Sequence, residues 1–542
     1  MSYADIIIKG NIFDSVGDEP YKGYVATAGN KILEVGKDSD ISKLKGPNTK
    51  VYEMGEKLVI PGIHDSHVHL VLAGLFNIYA NLINARSEEE VCRIMRDWAD
   101  KNPQPKDEWV IGFSWYHVFW DEQVLPTKAS LDKYFPDQPV FLLNAEAHGG
   151  WTNSKGLEVA GVTKDTPDPF GGAFERDENG EPTGFLYESA IGPVTKYAFN
   201  FTSEQMKSYV KAFMKVAASE GITSINDVMP YFHGNIGDVE VYSELDKADE
   251  LTIRIHAAPN LLGDLDQICK HRDTLSSDKL KIDMVKQFLD GVSTTHTALM
   301  LDDYSDKPGE KGISLADLNA IEKAVPEAHK RGISIKLHSC GDASCRLALD
   351  YYEKAIKMHG KNACRHNIEH VELISPEDVP RMGELGIIPS MQPEHIALTQ
   401  IFDENPYPVT MGPERSSRTW PLKTMMDTCG VVACGSDCPV VSSNPFLGIF
   451  RAVTRLHNDG KPEGGWNPSE KLTLAEVLKG YTSCGAYGVR RENELGTLEA
   501  GKFADIAVID RNLFETVKED PWKIMDASVV LTVADGKVVY EK

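Results

Sequence analysis

The chain has little of what marks a secreted or a nucleic-acid-binding protein. Its nine cysteines are scattered, and no two are separated by only two residues, which argues against a disulfide framework and a structural zinc knuckle. Basic residues are scarce: 57 lysines and arginines stand against 81 aspartates and glutamates, so the formal net charge is −24. Such a charge repels phosphate backbones and anionic membrane surfaces. We therefore expect neither a nucleic acid nor a membrane as partner.

Long hydrophobic runs are also missing. No run reaches the length that spans a bilayer, and the first residues lack the basic flank and apolar stretch of a secretion signal. We expect a cytoplasmic homodimer that acts on a small molecule. The composition, 42% hydrophobic and 25% charged, is that of an ordinary globular protein. A chain of 542 residues exceeds one ordinary core, so we expect one large catalytic domain with additions.

The order of apolar runs predicts an α/β fold built on a (β/α)8 barrel. Short β-rich runs alternate with helical stretches, which is typical of parallel strands covered by helices. There are eight such runs, at residues 58–60, 222–225, 252–255, 284–288, 333–337, 367–369, 387–390 and 431–434. Both ends of the chain consist of strands and turns instead, and two or three strands alone are only marginally stable. We expect the two ends to pair.

Residues from about 85 to 205 do not follow this alternation. They hold two further strand-like runs, a turn-rich segment at 166–172, and four tryptophans: Trp109, Trp115, Trp120 and Trp151. We interpret the region as an insertion after the first barrel strand. Its aromatic density fits either a packed subdomain or a lid that lines a pocket.

The clearest chemical signal is a pair of histidines two positions apart. His67 and His69 follow an apolar strand that ends in a Pro-Gly pair. Alternate residues of a strand share a face, so the two imidazoles can bind one divalent metal. A single triplet of this kind is a weak signal, because it is about as often an ordinary surface or core pair.

Later strands also end in side chains that bind metals. His338, His370 and Asp437 each close one of the predicted strands. Because barrel enzymes keep their active sites at the carboxyl ends of the strands, four histidines and one aspartate would converge at one mouth. Singly, each would more often be a satisfied polar residue or, for Asp437, a helix N-cap. Together they predict a metal centre.

In this order the ligand candidates resemble the amidohydrolase superfamily, and several segments are similar to amidohydrolase family 3, the group of N-substituted formamide deformylase-like hydrolases. Those segments are residues 109–112, 148 with 153–155, 183–184, 221–224, 290–291, 341–343, 365–366 with 369–370, 392–393 and 435–437. The resemblance covers nearly the whole chain. It implies a barrel in residues 59–490, with the insertion at about 85–205, and a composite β-sandwich built from residues 1–58 and 491–542.

The same resemblance implies a role for Lys286, which occupies the place of a fourth-strand lysine that is carboxylated in related enzymes and bridges two metals. An ammonium group cannot ligate a cation, whereas a carbamate presents two anionic oxygens. The other interpretation is an ion pair between Lys286 and an acid such as Asp290. We expect Zn²⁺ as cofactor: two ions with carbamylated Lys286 as the bridge, or one ion without it.

The implied activity is hydrolysis of a non-peptide carbon–nitrogen amide bond in a small molecule, through attack by a metal-activated hydroxide with Asp437 as general base. The same site could instead deaminate a heteroaromatic ring or hydrolyse an ester or lactone. A non-catalytic scaffold is disfavoured, because no ligand position is damaged. The implied metal ligands are His67, His69, Lys286, His338, His370 and Asp437.

Five further residues are candidates for contact with the substrate: Trp115, His148, His296, His395 and Arg415. His296 stands in a segment where relatives commonly carry an arginine. Cys340 and Cys438 lie beside ligand candidates, and we expect both to pack as small residues rather than to bind metal.

Overall fold

A computed structural model describes residues 3–37, 41–117, 120–145, 149–169, 172–229 and 237–542. The chain divides into two compact units. The first comprises residues 1–69, 214–230 and 242–542, and the second comprises residues 70–213 and 231–241. Among the described residues, no helix combines the length and the apolar character needed to cross a membrane.

The strands, in chain order, are β1 (Ala4–Ile12), β2 (Tyr21–Ala28), β3 (Lys31–Lys37), β4 (Lys45–Pro61), β5 (Ile63–Val68), β6 (Ala80–Asn81), β7 (Val110–Trp115), β8 (Val140–Asn144), β9 (Gly149–Thr152), β10 (Gly172–Arg176), β11 (Pro182–Glu188), β12 (Ile222–Val228), β13 (Arg254–Ala258), β14 (Leu280–Lys281), β15 (Met284–Phe288), β16 (Ser334–Ser339), β17 (Asn367–His370), β18 (Ile388–Met391), β19 (Ala433–Cys434), β20 (Ile506–Ile509), β21 (Val529–Ala534) and β22 (Lys537–Glu541).

The α-helices are α1 (Leu70–Ile78), α2 (Glu88–Lys101), α3 (Lys128–Tyr134), α4 (Ser154–Ala160), α5 (Gly192–Ala198), α6 (Ser203–Ser219), α7 (Val239–Lys247), α8 (Leu265–Leu275), α9 (Leu318–Lys330), α10 (Asp342–His359), α11 (Val379–Leu385), α12 (Tyr407–Ser416), α13 (Leu422–Cys429), α14 (Pro445–Thr454), α15 (Leu474–Gly480), α16 (Ser483–Gly488) and α17 (Leu513–Glu519).

Both ends of the chain share one seven-stranded sheet in the order β22-β21-β20-β4-β1-β2-β3. The seam between the ends is the antiparallel pairing of β4 with β20, where Leu58 lies opposite Ile509 and Ile60 lies opposite Ala507. The sheet is rich in isoleucine and valine, which fit a pleated and partly buried surface. The structure therefore pairs the two termini, as the sequence predicts.

The run at residues 58–60 lies in this terminal sheet, so its assignment to the first barrel strand is wrong. The strand that carries the paired histidines is β5, which starts at Ile63, after Pro61 and Gly62. Proline lacks the N–H that a central strand needs, which separates the two strands although their apolar residues are nearly continuous.

Two parallel sheets of the first unit position the site. One has the order β14-β13-β12-β5 and the other the order β15-β16-β17-β18-β19. Backbone hydrogen bonds also join their edges, from Leu261 N to Lys286 O at 2.9 Å on one side and from Asp437 N to His67 O at 2.7 Å on the other. The carboxyl ends of β5, β15, β16 and β17 consequently point the same way.

The second unit contains a six-stranded sheet in the order β10-β11-β9-β8-β7-β6. Trp115, Trp120 and Trp151 are buried in one apolar cluster of this unit, with ring centroids 5.7 to 6.3 Å apart. Packing therefore accounts for these three tryptophans. The second unit starts with α1 at Leu70, a helix with six buried residues, and the insertion at about 85–205 stays a prediction.

Candidate metal centre

His67, His370 and Asp437 come together from three different strand ends. Ring nitrogens of the two histidines and a carboxylate oxygen of the aspartate all lie within 4.8 Å of one another, and all three side chains are buried. His67 belongs to β5, His370 ends β17, and Asp437 follows β19. Three of the ligand candidates predicted from the strand ends therefore form a group that can hold a metal ion.

Asp437 faces both histidines of the pair on β5. Its Oδ1 lies 3.3 Å from His67 Nε2 and 3.2 Å from His69 Nε2. Although burial alone would raise the pKa of Asp437, the two imidazoles hold it well below its usual range, so the carboxylate is ionised. Both Asp437 and His370 have positive φ, at 66° and 72°. Such strain costs about 1–3 kcal/mol for each residue and is typical of functional sites.

His338 joins the group from the end of β16. Its ring centroid is 4.4 Å from that of His370, and its Nδ1 lies 3.1 Å from Asp290 Oδ1. Asp290 also accepts hydrogen bonds from the backbone N–H groups of Cys340 and Gly341. The carboxylate thereby fixes the imidazole through Nδ1 and leaves Nε2 as the nitrogen that can ligate.

Glu369 fixes His67 in the same manner, with its Oε2 2.5 Å from His67 Nδ1. The ammonium of Lys336 lies 2.8 Å from the other oxygen, Oε1, and 3.3 Å from the carbonyl oxygen of Ser66. Lys336 and Glu369 are fully buried. Burial alone would raise the pKa of Glu369, but Lys336 and His67 hold it below its usual range. The pair therefore keeps a buried negative charge next to the His67 ring.

Sequence reasoning did not assign these orienting groups. Only the structure shows why Glu369 and Lys336 matter: each is an ionisable residue inside a strand that is buried along its whole length, where a charge requires a buried partner. Asp65 is a further missed residue. It accepts hydrogen bonds from Ser436 N at 2.9 Å and Ser436 Oγ at 2.6 Å, and so ties the end of β5 to the segment that carries Asp437.

Lys286 lies at the centre of β15 with no exposed surface and no hydrogen-bond partner for Nζ among the described residues. The ion pair with Asp290 is not formed, because that carboxylate is directed to His338. Burial lowers the pKa of Lys286 to about 8. A neutral amine is the form that reacts with carbon dioxide, so the setting suits a carbamate.

The burial of the histidines also suits ligation. It lowers the pKa of His69 to about 4 and places that of His370 well below its ordinary value, and the pKa of His338 is lowered for the same reason. The rings are therefore neutral at pH 7. Neutral imidazole is the form that binds a metal.

Among the candidates for substrate contact, the structure brings only His395 next to the group. Its Nε2 lies 3.8 Å from Asp437 Oδ2, and burial lowers its pKa to about 4. His296 pairs instead with Asp306 at 2.9 Å. The guanidinium of Arg415 donates to backbone carbonyl oxygens, among them that of Asp303 at 2.7 Å.

The two remaining candidates for substrate contact are Trp115 and His148. Trp115 lies in the core of the second unit, where its Nε1 donates to the carbonyl oxygen of Leu142 at 3.1 Å. His148 lies outside the described residues. Their contact with a substrate stays a prediction from the sequence.

The family model described as "Amidohydrolase family" matches residues 50–540. Because this match spans most of the 542 residues, the chain belongs to the amidohydrolase family, in its family 3 branch. The resemblance seen in the sequence is thereby confirmed.

Similar proteins match along nearly their whole length. Protein LONG AFTER FAR-RED 3 of Arabidopsis thaliana is 29% identical over 547 residues, which cover 99% of this chain and 92% of that protein. N-substituted formamide deformylase of Arthrobacter pascens is 26% identical over 538 residues, covering 96% and 95%. The crystal structure of an uncharacterized metal-dependent hydrolase from Pyrococcus horikoshii OT3 has a TM-score of 0.77 at 22% identity, covering 94% and 97%, which shows a shared fold.

Proposed function

We propose that the protein is a metal-dependent hydrolase that cleaves a non-peptide carbon–nitrogen amide bond in a small molecule. The observation that carries this proposal is the buried group of His67, His370 and Asp437, whose ligand atoms converge from separate strands. Membership of the amidohydrolase family supports the class of reaction.

The residues present fit a transition metal. Imidazole nitrogens with one carboxylate suit Zn²⁺. His67 and His338 each have Nδ1 held by a carboxylate, so that Nε2 is the nitrogen available to an ion. Among the described residues, the buried Nζ of Lys286 has no hydrogen-bond partner, and a buried polar group without a partner is costly, which supports its modification.

We further propose the finer assignments of fold and cofactor. The parallel strands β5, β12, β13 and β15 to β19 would constitute the (β/α)8 barrel, which would begin after Pro61 and not at residue 59, and the terminal sheet would belong to the composite sandwich. His67, His69 and Asp437 would hold one Zn²⁺ ion, and His338 with His370 a second. Carbamylated Lys286 would bridge the two ions.

Asp437 is the group that moves protons in this proposal. When bound, the metal supplies a water of lowered pKa and an electrophile for the substrate carbonyl. The Asp437 carboxylate accepts the proton of the attacking water and delivers it to the leaving amine. We propose that His395, whose Nε2 lies 3.8 Å from Asp437 Oδ2, donates a hydrogen bond to the substrate.

We prefer amide hydrolysis to ring deamination and ester hydrolysis because the name of one relative describes an amide substrate. The name of the Arthrobacter pascens protein, N-substituted formamide deformylase, describes cleavage of a formyl group from a substituted amide nitrogen. We propose by analogy a substrate with an acyl or formyl group on nitrogen. The expected cytoplasmic location and homodimer stay predictions from the sequence.

The test is a substrate panel with and without metal. Zinc-loaded and chelated protein would be assayed against N-formyl and N-acyl amines, cyclic amides, esters, lactones and aminopurines. We expect hydrolysis of N-formyl or N-acyl amines that stops on chelation and returns with Zn²⁺. Turnover confined to aminopurines or to esters would overturn the assignment to amides.

A further inference from the structure

We propose that Cys340 is a thiolate ligand of the metal position that His338 and His370 share, and that it makes this position selective for Zn²⁺ and other thiophilic ions. The inference rests on the proposed function, because it concerns the metal of the same site. It also changes the expectation that Cys340 only packs as a small residue.

The spacing of two donor atoms carries the inference. Cys340 Sγ lies 3.6 Å from His338 Nε2, the nitrogen that Asp290 leaves available. At zinc bond lengths of about 2.0–2.1 Å to nitrogen and about 2.3 Å to sulfur, two donors of one tetrahedral ion lie about 3.5 Å apart. Across the site, His67 Nε2 and Asp437 Oδ1 lie 3.3 Å apart, so both pairs have the separation of ligands that share an ion.

The position of Cys340 in the chain explains this spacing. It follows His338 by two residues and lies directly after the last residue of β16, and alternate residues of an extended segment point to the same side. Cys340 is only 1% exposed, so the thiol faces the interior of the protein. The sulfur is thus directed into the cluster of imidazoles.

Asp290 is the third member of the group that could hold an ion with His338 and Cys340. Its oxygens are occupied by hydrogen bonds, including one from Ser344 Oγ at 2.6 Å and one from Leu299 N at 2.9 Å. An acceptor with this many donors serves to orient its neighbours. The nitrogen of His338 and the sulfur of Cys340 are then the donors left for a metal.

Ligation requires the thiol to lose its proton. On binding, the S–H bond breaks, a sulfur–metal bond forms, and the proton is released to water, as it is whenever a thiol becomes a metal ligand. No oxidant or reductant is needed.

The expected consequence is metal selectivity. Thiolates favour Zn²⁺ and related ions, whereas oxygen ligands suit Mg²⁺ and Mn²⁺. Replacing the sulfur by a hydroxyl group in Cys340→Ser should therefore weaken Zn²⁺ binding about 10- to 100-fold and leave Mn²⁺ binding nearly unchanged.

The direct test is X-ray absorption at the zinc edge of the wild-type protein loaded with Zn²⁺, which requires no variant to fold. We expect a sulfur scatterer at about 2.3 Å. Bound zinc with only nitrogen and oxygen neighbours at about 2.0–2.2 Å would overturn the inference about Cys340 while leaving the proposed function standing. If no zinc is bound, both proposals fail.

Cobalt substitution gives a second readout with a matched control. Cys345 is also buried in this region, and its Sγ donates to the carbonyl oxygens of Ser339 and Leu373, so it offers no ligand. The Co²⁺ form should show thiolate-to-cobalt charge transfer in the wild type and in Cys345→Ser, and lose it in Cys340→Ser. An unchanged band in Cys340→Ser, or its loss in Cys345→Ser, would contradict the assignment.

Discussion

Two buried lysines lie opposite each other on neighbouring strands of the site, and their surroundings differ. Lys286 of β15 and Lys336 of β16 are direct partners in the parallel register, and neither has exposed surface. Lys336 has a carboxylate at 2.8 Å, whereas Lys286 has no hydrogen-bond partner among the described residues. A buried charge needs a partner, so the lysine that lacks one is the candidate for modification, and the paired lysine is an orienting group.

The carboxylates of the metal centre also differ in whether protein hydrogen-bond donors occupy their oxygens. Glu369 and Asp290 have their oxygens taken by protein donors, while Asp437 Oδ1 lies 3.3 Å and 3.2 Å from ring nitrogens of the histidine pair. We therefore expect substitutions of Asp437 and Lys286 to remove turnover or metal. Substitutions of the paired residues Lys336, Glu369 and Asp290 should instead weaken metal binding and lower stability. The predictions below test this division, from the largest effect to the smallest.

The largest effect is expected for Asp437→Asn, because a general base contributes about 10²- to 10⁴-fold to a rate. The value of kcat should fall by about a thousandfold, with a smaller change in KM and much of the zinc retained. Asp427→Asn, which changes an exposed carboxylate on α13, is the control. Steady-state kinetics with elemental analysis would decide, and near-wild-type kcat in Asp437→Asn would remove it from the role of base.

Lys286→Ala should rank second. Zinc bound per chain should fall from about two ions to one, and activity by about 100-fold, because the bridging oxygens are lost. Formate or acetate should restore part of the activity of this variant by supplying a carboxylate. In the wild type, reconstitution with zinc should depend on bicarbonate. Mass measurement of an unmodified Lys286 in fully active, zinc-loaded protein would contradict the dinuclear proposal.

Lys336→Met should lower stability through Glu369 and zinc affinity through His67. It leaves the buried carboxylate of Glu369 without its cation, which costs about 3–5 kcal/mol of unfolding free energy. Because Glu369 also holds His67, zinc affinity should fall about 10-fold or more. Urea unfolding and zinc titration measure the two effects. Formate should not restore the activity of Lys336→Met. A restoration equal to that in Lys286→Ala would contradict the different roles assigned to the two lysines.

The double variant Lys336→Met with Glu369→Gln sharpens this test. Removing both charges should recover part of the lost stability, because no ion is left unpaired. Zinc affinity should stay low, since an amide holds His67 Nδ1 less strongly than a carboxylate does. Full recovery of zinc affinity would mean that the pair stabilises the fold without orienting His67.

The smallest effects concern substrate contact, where His395 and His296 can be compared. Loss of one hydrogen bond of about 1 kcal/mol corresponds to about a fivefold change in KM or kcat/KM. We expect a change of at least this size in His395→Ala, because His395 lies beside Asp437. His296→Ala should change KM little, because its ring is already paired with Asp306. A larger effect in His296→Ala would reverse this ranking.

The grouping of the ligand candidates could be predicted from the sequence because their positions follow a simple geometric rule. Residues that end parallel strands meet at one edge, so His338 and His370 could be placed beside His67 without coordinates. The orienting carboxylates could not be placed in this way. Whether Asp290 pairs with Lys286 or with His338 depends on side-chain direction across adjacent strands, which periodicity does not encode.

Element boundaries were the other limit of the sequence analysis. The apolar run at residues 58–60 is as hydrophobic as a barrel strand, yet it pairs with β20, which lies more than 400 positions further along the chain. Hydrophobicity predicts burial but not which sheet buries a strand.

The central claim is that turnover depends on a metal held by this group of histidines and Asp437. The most direct measurement is the zinc content of the purified protein, determined by elemental analysis before and after chelation and compared with its amide hydrolysis. We predict stoichiometric zinc in the active protein, parallel loss of zinc and activity on chelation, and recovery of both when Zn²⁺ is returned. Full activity in protein shown to be free of metal would contradict the account.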